Sequence, residues 1–184
     1  MTTARDRVRE HLLAESVRRG DFILKSGRRS SWFIDSKRTI CSPDTMLDVA
    51  EMVLERVPQS ATAIGGLTMG ADGVSFITAG VAATRGVRLR AFSVRKEVKD
   101  HGAGGRIAGL LEPGDHVVIT EDTVTRGTSL MEAARVVRDV GAIPVLLLAV
   151  VDRGGTASAM AAEEGWPFEA LFSAPDLGFD YEGA

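Results

Sequence analysis

The apolar residues of the chain fall into strand-like and helical groups that alternate along most of its length. Between residues 61 and 172, short continuous apolar runs predict strands, and amphipathic runs at helical spacing predict helices. The predicted strands are Ala61–Ile64, Leu89–Val94, His116–Thr120, Ile143–Val151 and Phe168–Phe172, and the predicted helices are Ala71–Arg85, Thr128–Val140 and Thr156–Glu164. Continuously apolar strands separated by helices indicate a parallel sheet that is covered on both faces. The pattern therefore predicts an α/β fold whose ligands bind beyond the carboxyl ends of the strands.

The first 35 residues follow a less regular pattern. Apolar residues at helical spacing predict a helix over Ala4–Arg19, and Gly20 is placed to end it. Phe22–Leu24 and Trp32–Ile34 are short predicted strands on either side of a polar turn at Lys25–Ser31. This segment thus predicts a small structure that stands apart from the regular alternation.

A second N-terminal helix is predicted over Ser42–Val57. Ser42 is a favourable N-cap, and Pro43 suits the first helical position because its missing N–H would have no partner there. The residues predicted for its buried face are Leu47, Ala50, Val53, Leu54 and Val57.

Composition and charge narrow the class of protein. The chain has 184 residues, 45% hydrophobic and 26% charged, which suits one compact domain. Its formal net charge of −3 does not favour non-specific binding to nucleic acid. A single cysteine, Cys41, excludes an intramolecular disulfide, and Met1–Arg9 lacks the apolar core of a signal peptide. The longest apolar run, Ala142–Val151, is too short to span a membrane. We therefore expect a cytoplasmic protein that binds neither membranes nor nucleic acid.

The most informative segment joins a predicted strand to a predicted helix. The strand runs into two adjacent carboxylates, Glu121 and Asp122, and then into the loop Thr123–Ser129. The start of a helix favours a phosphate, because its free N–H groups and its positive dipole end point at the ligand. Gly127 lets the backbone approach closely, and the loop hydroxyls add donors. The two carboxylates suit hydrogen bonds from sugar hydroxyls or water-mediated contact with Mg²⁺.

The alternative for this segment is a solvent-facing loop after an acidic strand end, which is common in α/β proteins. A P-loop is excluded because the Gly-Lys-Ser/Thr triplet is absent. A dinucleotide fingerprint is excluded because no G-x-G-x-x-G sequence follows the strand.

A second notable segment, Arg95–Arg106, combines basic side chains with glycines between two predicted strands. A cationic, glycine-rich loop beside a phosphate site can close over a leaving pyrophosphate, which supplies positive charge and excludes water. His101 lies in this loop and can donate a proton or a hydrogen bond near neutral pH. The alternative is a solvated hairpin whose charges only maintain solubility.

Several segments together resemble the orotate phosphoribosyltransferase family, whose members join orotate to phosphoribosyl pyrophosphate (PRPP). Glu121–Ser129 resembles the PRPP-binding signature of the wider superfamily. Arg95–Gly102 resembles the flexible loop particular to the orotate enzymes and is the more specific match. Phe22–Ser30 resembles the family's orotate-contacting segment, and Val151–Arg153 resembles a strand end whose arginine meets the orotate carboxylate. The matches run in the family's order from about residue 15 to residue 176.

The resemblance implies a single domain, an α/β fold with a type I phosphoribosyltransferase-like parallel sheet flanked by helices. It also implies a small N-terminal hood over about residues 1–40, with the core over about residues 41–184.

The family's site residues can be carried over to matching positions of this chain. The residues implied to bind PRPP are Lys25, Arg95, Lys96, Lys99, His101, Glu121, Asp122, Thr123, Val124, Thr125, Arg126, Gly127, Thr128 and Ser129. The residues implied to bind orotate are Lys25, Phe33, Ile34, Thr125 and Arg153. The residues implied to take part in catalysis are Lys99, His101 and Asp122.

The implied reaction displaces pyrophosphate from C1′ of PRPP by N1 of orotate, with Mg²⁺ as the cofactor. Lys99 is the best candidate for a direct catalytic contribution. The family also implies a homodimer in which the flexible loop reaches the neighbouring subunit's site, with helix Ser42–Val57 near the interface. No direct protein ligand of the metal is assigned.

The chain departs from the family pattern at two places. Many relatives carry a Tyr-Lys pair where this chain has Gly65–Asp72, so Thr68 and Asp72 are left to serve the pyrophosphate and the metal. Arg126 replaces the small residue or threonine usual in the phosphate loop, and it either adds a phosphate contact or points to solvent.

Three other functions compete with this interpretation. A phosphoribosyltransferase for a purine or another base would keep Glu121–Ser129 but would need no arginine for a carboxylate. A non-catalytic regulator that binds RNA would call for a basic face. A metal site would need His11, His101 and His116 together, but their spacing matches no ligand pattern, and His11 and His116 are interpreted as structural.

Overall fold

The computed structural model describes residues 2–23, 27, 29–97 and 105–182, and its centre is a six-stranded sheet. The strands are β3 (Ala63–Leu67), β4 (Arg90–Val94), β5 (Ile107–Gly109), β6 (His116–Val124), β7 (Ile143–Asp152) and β8 (Phe168–Ser173). Their order across the sheet is β5-β4-β3-β6-β7-β8. Five strands are parallel to their neighbours, and only β5 runs antiparallel, beside β4. The predicted parallel α/β sheet is confirmed.

Helices cover both faces of this sheet. They are α4 (Asp72–Thr84), α5 (Thr128–Asp139) and α6 (Ala157–Glu163), and a 3-10 turn follows at Pro175–Leu177. Consecutive residues of β6 enter different hydrophobic clusters, with Val117 and Ile119 on one face and Val118 on the other. Both faces of the strand are therefore buried, which explains why its sequence is continuously apolar. In the described parts of the chain, no helix is long and apolar enough to cross a bilayer.

The secondary structure of the N-terminal hood differs from the prediction. Helix α1 covers only Ala4–His11, a π-helical turn follows at Leu12–Ser16, and strand β1 begins at Val17 and runs to Ile23. The predicted helix to Arg19 was therefore wrong. Val17 has the right spacing for the helix, but its backbone is extended and pairs with Ile34 of strand β2 (Arg29–Ile34). Both side chains are buried, so strand pairing overrides the helical period.

The second helical region was also predicted too long. A short helix α2 (Lys37–Ile40) precedes a turn, and helix α3 covers Met46–Leu54 with Thr45 as its N-cap. The Ser42 carbonyl oxygen accepts the N–H groups of Thr45 and Met46 at 3.2 and 2.8 Å, so Ser42 closes the turn before the helix. Of the predicted buried face, Ala50 and Val53 are buried, but Leu47 is 59% exposed.

Strands β3 and β6 extend further than their apolar runs. β6 continues to Val124, four residues past the predicted end at Thr120, because its pairing with β7 continues to Val124 and Asp152. β3 likewise ends at Leu67 rather than Ile64. The acidic pair Glu121 and Asp122 is thus part of the sheet, which fixes its backbone more firmly than a loop would.

Candidate active site

The turn after β6 opens onto a large cavity. Gly127 has φ of +83° and forms the N-cap of α5, so the backbone changes direction where a side chain would be strained. The cavity has a volume of about 840 Å³. Its lining comprises Phe22, Ile23, Phe33, Glu121, Arg153 and the loop segment Thr123–Leu130. The predicted phosphate loop and the predicted carboxylate-binding arginine therefore border one space.

Glu121 is buried at the base of this cavity. It is 7% exposed, and its Oε2 accepts no hydrogen bond from the described residues. Burial, followed by the charge of Asp122 and a hydrogen bond with it, raises the pKa of Glu121 to about 9. These effects favour the protonated form of the carboxyl group.

The absence of a side chain at Gly70 makes room for the Glu121 carboxylate. A Cβ at this position would lie 1.7 Å from Glu121 Oε1 and 2.9 Å from Asp122 Oδ1. Any side chain at this position would therefore force the Glu121 carboxylate to move. No local sequence pattern marks Gly70, because its contact joins segments that are 51 residues apart.

Asp122 forms an ion pair with Lys37 of α2. Partial burial disfavours the charged amine, yet the hydrogen bond and charge of Asp122 raise the pKa of Lys37 overall. Next to this pair, the hydroxyls of Ser36 and Thr123 are hydrogen-bonded at 2.7 Å. Lys37 thus places a positive charge beside the acidic pair, and sequence reasoning missed it. The available signal in the sequence was the position of Lys37 shortly after strand β2, which carries the predicted orotate-binding residues Phe33 and Ile34.

Arg153 follows the carboxyl end of β7 and is 5% exposed. Its backbone N–H donates to the Val124 carbonyl at 2.8 Å, which ties it to the neighbouring strand end. Its guanidinium contacts the hood: Nη2 donates to Ser30 Oγ and to the Trp32 carbonyl, each at 2.8 Å, and Cζ lies 4.8 Å from the Trp32 ring centre. The hood and the core are therefore joined at this residue.

The two predicted base-site residues of β2 point in different directions. Phe33 is 43% exposed and lines the cavity, where its ring lies 5.9 Å from that of Phe22. Ile34 is 6% exposed and packs in the hydrophobic core with Val17. Side chains alternate across a strand, so adjacent residues do not line the same surface.

The predicted basic loop is described only at its two ends. Arg95 donates to the Ile107 carbonyl at 3.1 Å, and its backbone N–H donates to the Arg106 carbonyl at 2.7 Å. Lys96 is exposed. Lys25, Lys99 and His101, for which roles were also predicted, lie outside the described residues.

The glycine turn between β3 and α4 presents a polar cluster beside the acidic pair. The Asp72 carboxylate accepts hydrogen bonds from Thr68 Oγ1 at 2.7 Å and from Ser93 Oγ at 2.6 Å. The peptide bond between Thr68 and Met69 is cis. Asp72 is thus held in place by two hydroxyls. His11 meanwhile contacts Thr39 Oγ1 at 2.9 Å through Nδ1, away from the cavity.

Comparison with known proteins places this geometry in a family. No protein-family model matches the chain. A curated orotate phosphoribosyltransferase from Rhodopseudomonas palustris (strain BisB18) is 35% identical over 181 residues, which cover 96% of this chain and 97% of that protein. The chain belongs to the orotate phosphoribosyltransferase family.

Solved structures of orotate phosphoribosyltransferases have the same fold. The Mycobacterium tuberculosis H37Rv enzyme in complex with Fe(III) dicitrate is 31% identical and superposes with a TM-score of 0.85, over 96% of this chain and 99% of that one. The same enzyme in complex with PRPP gives a TM-score of 0.80 at 29% identity, over the same shares. The predicted type I phosphoribosyltransferase-like fold is confirmed.

Proposed function

We propose that this member of the orotate phosphoribosyltransferase family transfers the phosphoribosyl group of PRPP to N1 of orotate. The products are orotidine 5′-monophosphate and pyrophosphate, and the reaction belongs to de novo UMP synthesis. The observation that carries the proposal is the single cavity bordered by both the Glu121–Ser129 turn and Arg153. A sugar phosphate and a planar carboxylate can therefore be bound side by side.

The turn provides the binding site for the phosphoribosyl group. The N-terminus of α5 faces the cavity with free N–H groups, and the exposed hydroxyls of Thr128 and Ser129 add donors for the 5′-phosphate. Arg126 is exposed at the same rim and adds positive charge. Asp122 and Glu121 accept hydrogen bonds from the ribose hydroxyls. Val124 and Gly127 shape the wall between these groups.

Orotate occupies the hood side of the cavity. Arg153 pairs with the orotate carboxylate, because a guanidinium fork matches a planar carboxylate. Phe33 and Thr125 both line this cavity. We therefore expect Phe33 to lie against the base ring and Thr125 to lie between the base and the ribose. Ile34 supports this surface from the core side. Lys25 is proposed to contact the base and the pyrophosphate.

Charge separation dominates the chemical step. The N1–C1′ bond forms while the C1′–O bond to pyrophosphate breaks, so the leaving group takes the electron pair and the ribose becomes cation-like. Arg95, Lys96, Lys99 and His101 stabilise the departing pyrophosphate. Asp122 provides negative potential beside the cationic ring. The proton of N1 passes to the departing pyrophosphate or to water.

The acidic pair also suits Mg²⁺ as the cofactor. Glu121 Oε2 has no hydrogen-bond partner among the described residues, and carboxylate oxygens are the ligands that Mg²⁺ prefers. A bound cation would lower the pKa of Glu121, and Glu121 and Asp122 would then hold the ion through water, together with the substrate's own oxygens. When bound, Mg²⁺ neutralises charge on the pyrophosphate.

The proposal includes a homodimer in the cytoplasm, with the basic loop shared between subunits. Two apolar side chains support a contact surface near the second helical region, because Leu47 of α3 is 59% exposed and Phe76 of α4 is 50% exposed. The exposed free thiol of Cys41 fits a reducing compartment.

The direct test is a pyrophosphate-release assay with PRPP and each of four bases. We expect turnover with orotate that depends on Mg²⁺, and little or none with uracil, adenine or hypoxanthine, which lack a carboxylate for Arg153. Turnover with a purine in preference to orotate would contradict the proposal. Calorimetry with PRPP and Mg²⁺ separates failure to bind PRPP from failure to accept orotate.

We expect Lys99→Ala to lower kcat about 100-fold or more while orotate binding changes little, because Lys99 meets charge that develops only in the transition state. Steady-state kinetics with both substrates measures this. Arg88→Ala is the control, since Arg88 is an exposed cation away from the cavity lining. A kcat for Lys99→Ala within a few-fold of the parent would remove Lys99 from the catalytic group.

A further inference from the structure

The C-terminal tail, residues 179–182, packs against the hood strand β2 and the end of β7. The ring of Phe179 stacks on Trp32, with ring centres 4.3 Å apart and planes at 12°. The ring of Tyr181 lies against Gly155, where a Cβ would come within 2.8 Å of it. The backbone N–H of Glu182 donates to the Arg153 carbonyl at 3.0 Å. The tail is therefore fixed to both the hood and the core.

This packing brings the Glu182 carboxylate to Arg153. Glu182 Oε2 forms an ion pair with Arg153 Nη2, and Glu182 Oε1 accepts the Ser30 hydroxyl at 2.8 Å. The Arg153 and Glu182 side chains are 6% and 20% exposed, so the pair is partly shielded from water. A shielded, hydrogen-bonded ion pair holds a guanidinium in one orientation better than an exposed pair does.

Glu182 approaches Arg153 from outside the candidate active site. Arg153 lines the 840 Å³ cavity, whereas Glu182 does not. Glu182 instead borders a separate groove, which is lined by Ser31, Trp32, Phe179 and their neighbours. A carboxylate that imitated the substrate would have to lie inside the cavity. The position of Glu182 therefore favours support of Arg153 over competition with the substrate.

We propose that Glu182 is a positioning residue, through which the C-terminal tail aims Arg153 at the carboxylate of the base substrate. The inference rests on the proposed function, in which Arg153 meets that carboxylate. Ser30 and the Trp32 carbonyl share the task, because they contact the same guanidinium nitrogen from the hood. The contact between the hood and the core is thereby linked, through the tail, to recognition of the base.

The test compares Glu182→Ala and Glu182→Gln with the parent in steady-state kinetics. We expect Glu182→Ala to raise the KM for orotate about 10-fold, because a misaligned guanidinium loses its paired hydrogen bonds to the carboxylate. The KM for PRPP should change less than about twofold, because the phosphate loop is untouched. Glu182→Gln keeps the shape of the side chain and one oxygen that can accept a hydrogen bond. Its KM for orotate should therefore lie between that of the parent and that of Glu182→Ala.

Asp180→Asn is the matched control. Asp180 is an exposed carboxylate of the same tail, and it forms no ion pair with a described residue. Its replacement changes the tail's charge equally and should leave both KM values unchanged. An unchanged KM for orotate in Glu182→Ala would overturn the inference. A lowered KM would overturn it in favour of competition, and an equal rise in both KM values would overturn it in favour of a general loss of folding.

The two proposals fail in different ways. If the parent does not use orotate, the proposed function is wrong. If the parent uses orotate and Glu182→Ala matches it, only the positioning role is wrong. Thermal unfolding of Glu182→Gln supplies the check that the tail still folds, since this variant retains the packing of Phe179 and Tyr181.

Discussion

Gly70→Ala is expected to lower kcat/KM for PRPP by about 100-fold or more, because misplacing a reacting group by about 1 Å can cost that much. The added methyl would lie 1.7 Å from Glu121 Oε1, so the carboxylate must move. Glu121 is 7% exposed and lines the cavity beside Asp122, so a shift of its carboxylate changes the groups presented to the ligand. One methyl group thus displaces Glu121 and crowds Asp122, the two carboxylates that are proposed to contact the ribose.

Gly80→Ala provides the control for Gly70→Ala. Gly80 is an exposed residue of α4, and a Cβ there would meet nothing within 4 Å. In a helix interior, alanine is more favourable than glycine by about 1 kcal/mol, so this variant should be slightly more stable than the parent. Its activity should not change. Equal activity of Gly70→Ala and Gly80→Ala in steady-state assays with varied PRPP would show that the position of Glu121 does not matter.

The sheet could be predicted from the sequence because its strands carry their own signal. The apolar runs around Val118 and Leu147 are buried on both faces, so each run marks a strand without knowledge of its neighbours. The hood could not be predicted in this way. Val17 satisfies a helical period, and only its pairing with Ile34, which is distant in sequence, makes the segment a strand. The short strand β5 exists only as a partner of β4.

The residues of the candidate site likewise fall into two groups, those with a local sequence signal and those placed by contacts between distant segments. Glu121, Asp122 and the loop to Ser129 are contiguous, so their chemistry was visible in one segment. Lys37, Gly70 and Glu182 reach the site through tertiary contacts, with partners 85, 51 and 29 residues away in sequence. None of these three residues belongs to a local motif from which its contact partner could be predicted. Ile34 shows the converse, because a residue next to Phe33 in sequence lies on the opposite side of the strand.

Glu121→Gln should change the dependence of stability on pH. Burial and the charge of Asp122 raise the pKa of Glu121 from 4.5 to about 9 in the folded chain. Between these values the folded chain keeps a proton that the unfolded chain has lost, so the free energy of unfolding falls as the pH rises. The slope contributed by one such group is at most about 1.4 kcal/mol per pH unit. Glutamine resembles the protonated carboxyl group and does not titrate in this range.

The variant should therefore gain stability over the parent as the pH rises, by on the order of 1–3 kcal/mol between pH 6 and pH 8. Urea unfolding of both proteins at several pH values measures this difference. Glu55→Gln removes the same charge from an exposed position and reports the effect of net charge alone. A constant difference between Glu121→Gln and the parent from pH 6 to pH 8 would mean that Glu121 is already ionised in the folded protein. Lys37 would then be the group that stabilises it, because Lys37 is the cation that lowers the pKa of Glu121 through its charge. In that case Lys37→Met should restore the pH dependence of the free energy of unfolding. The charge state of Glu121 would then be set by the neighbouring Lys37–Asp122 ion pair.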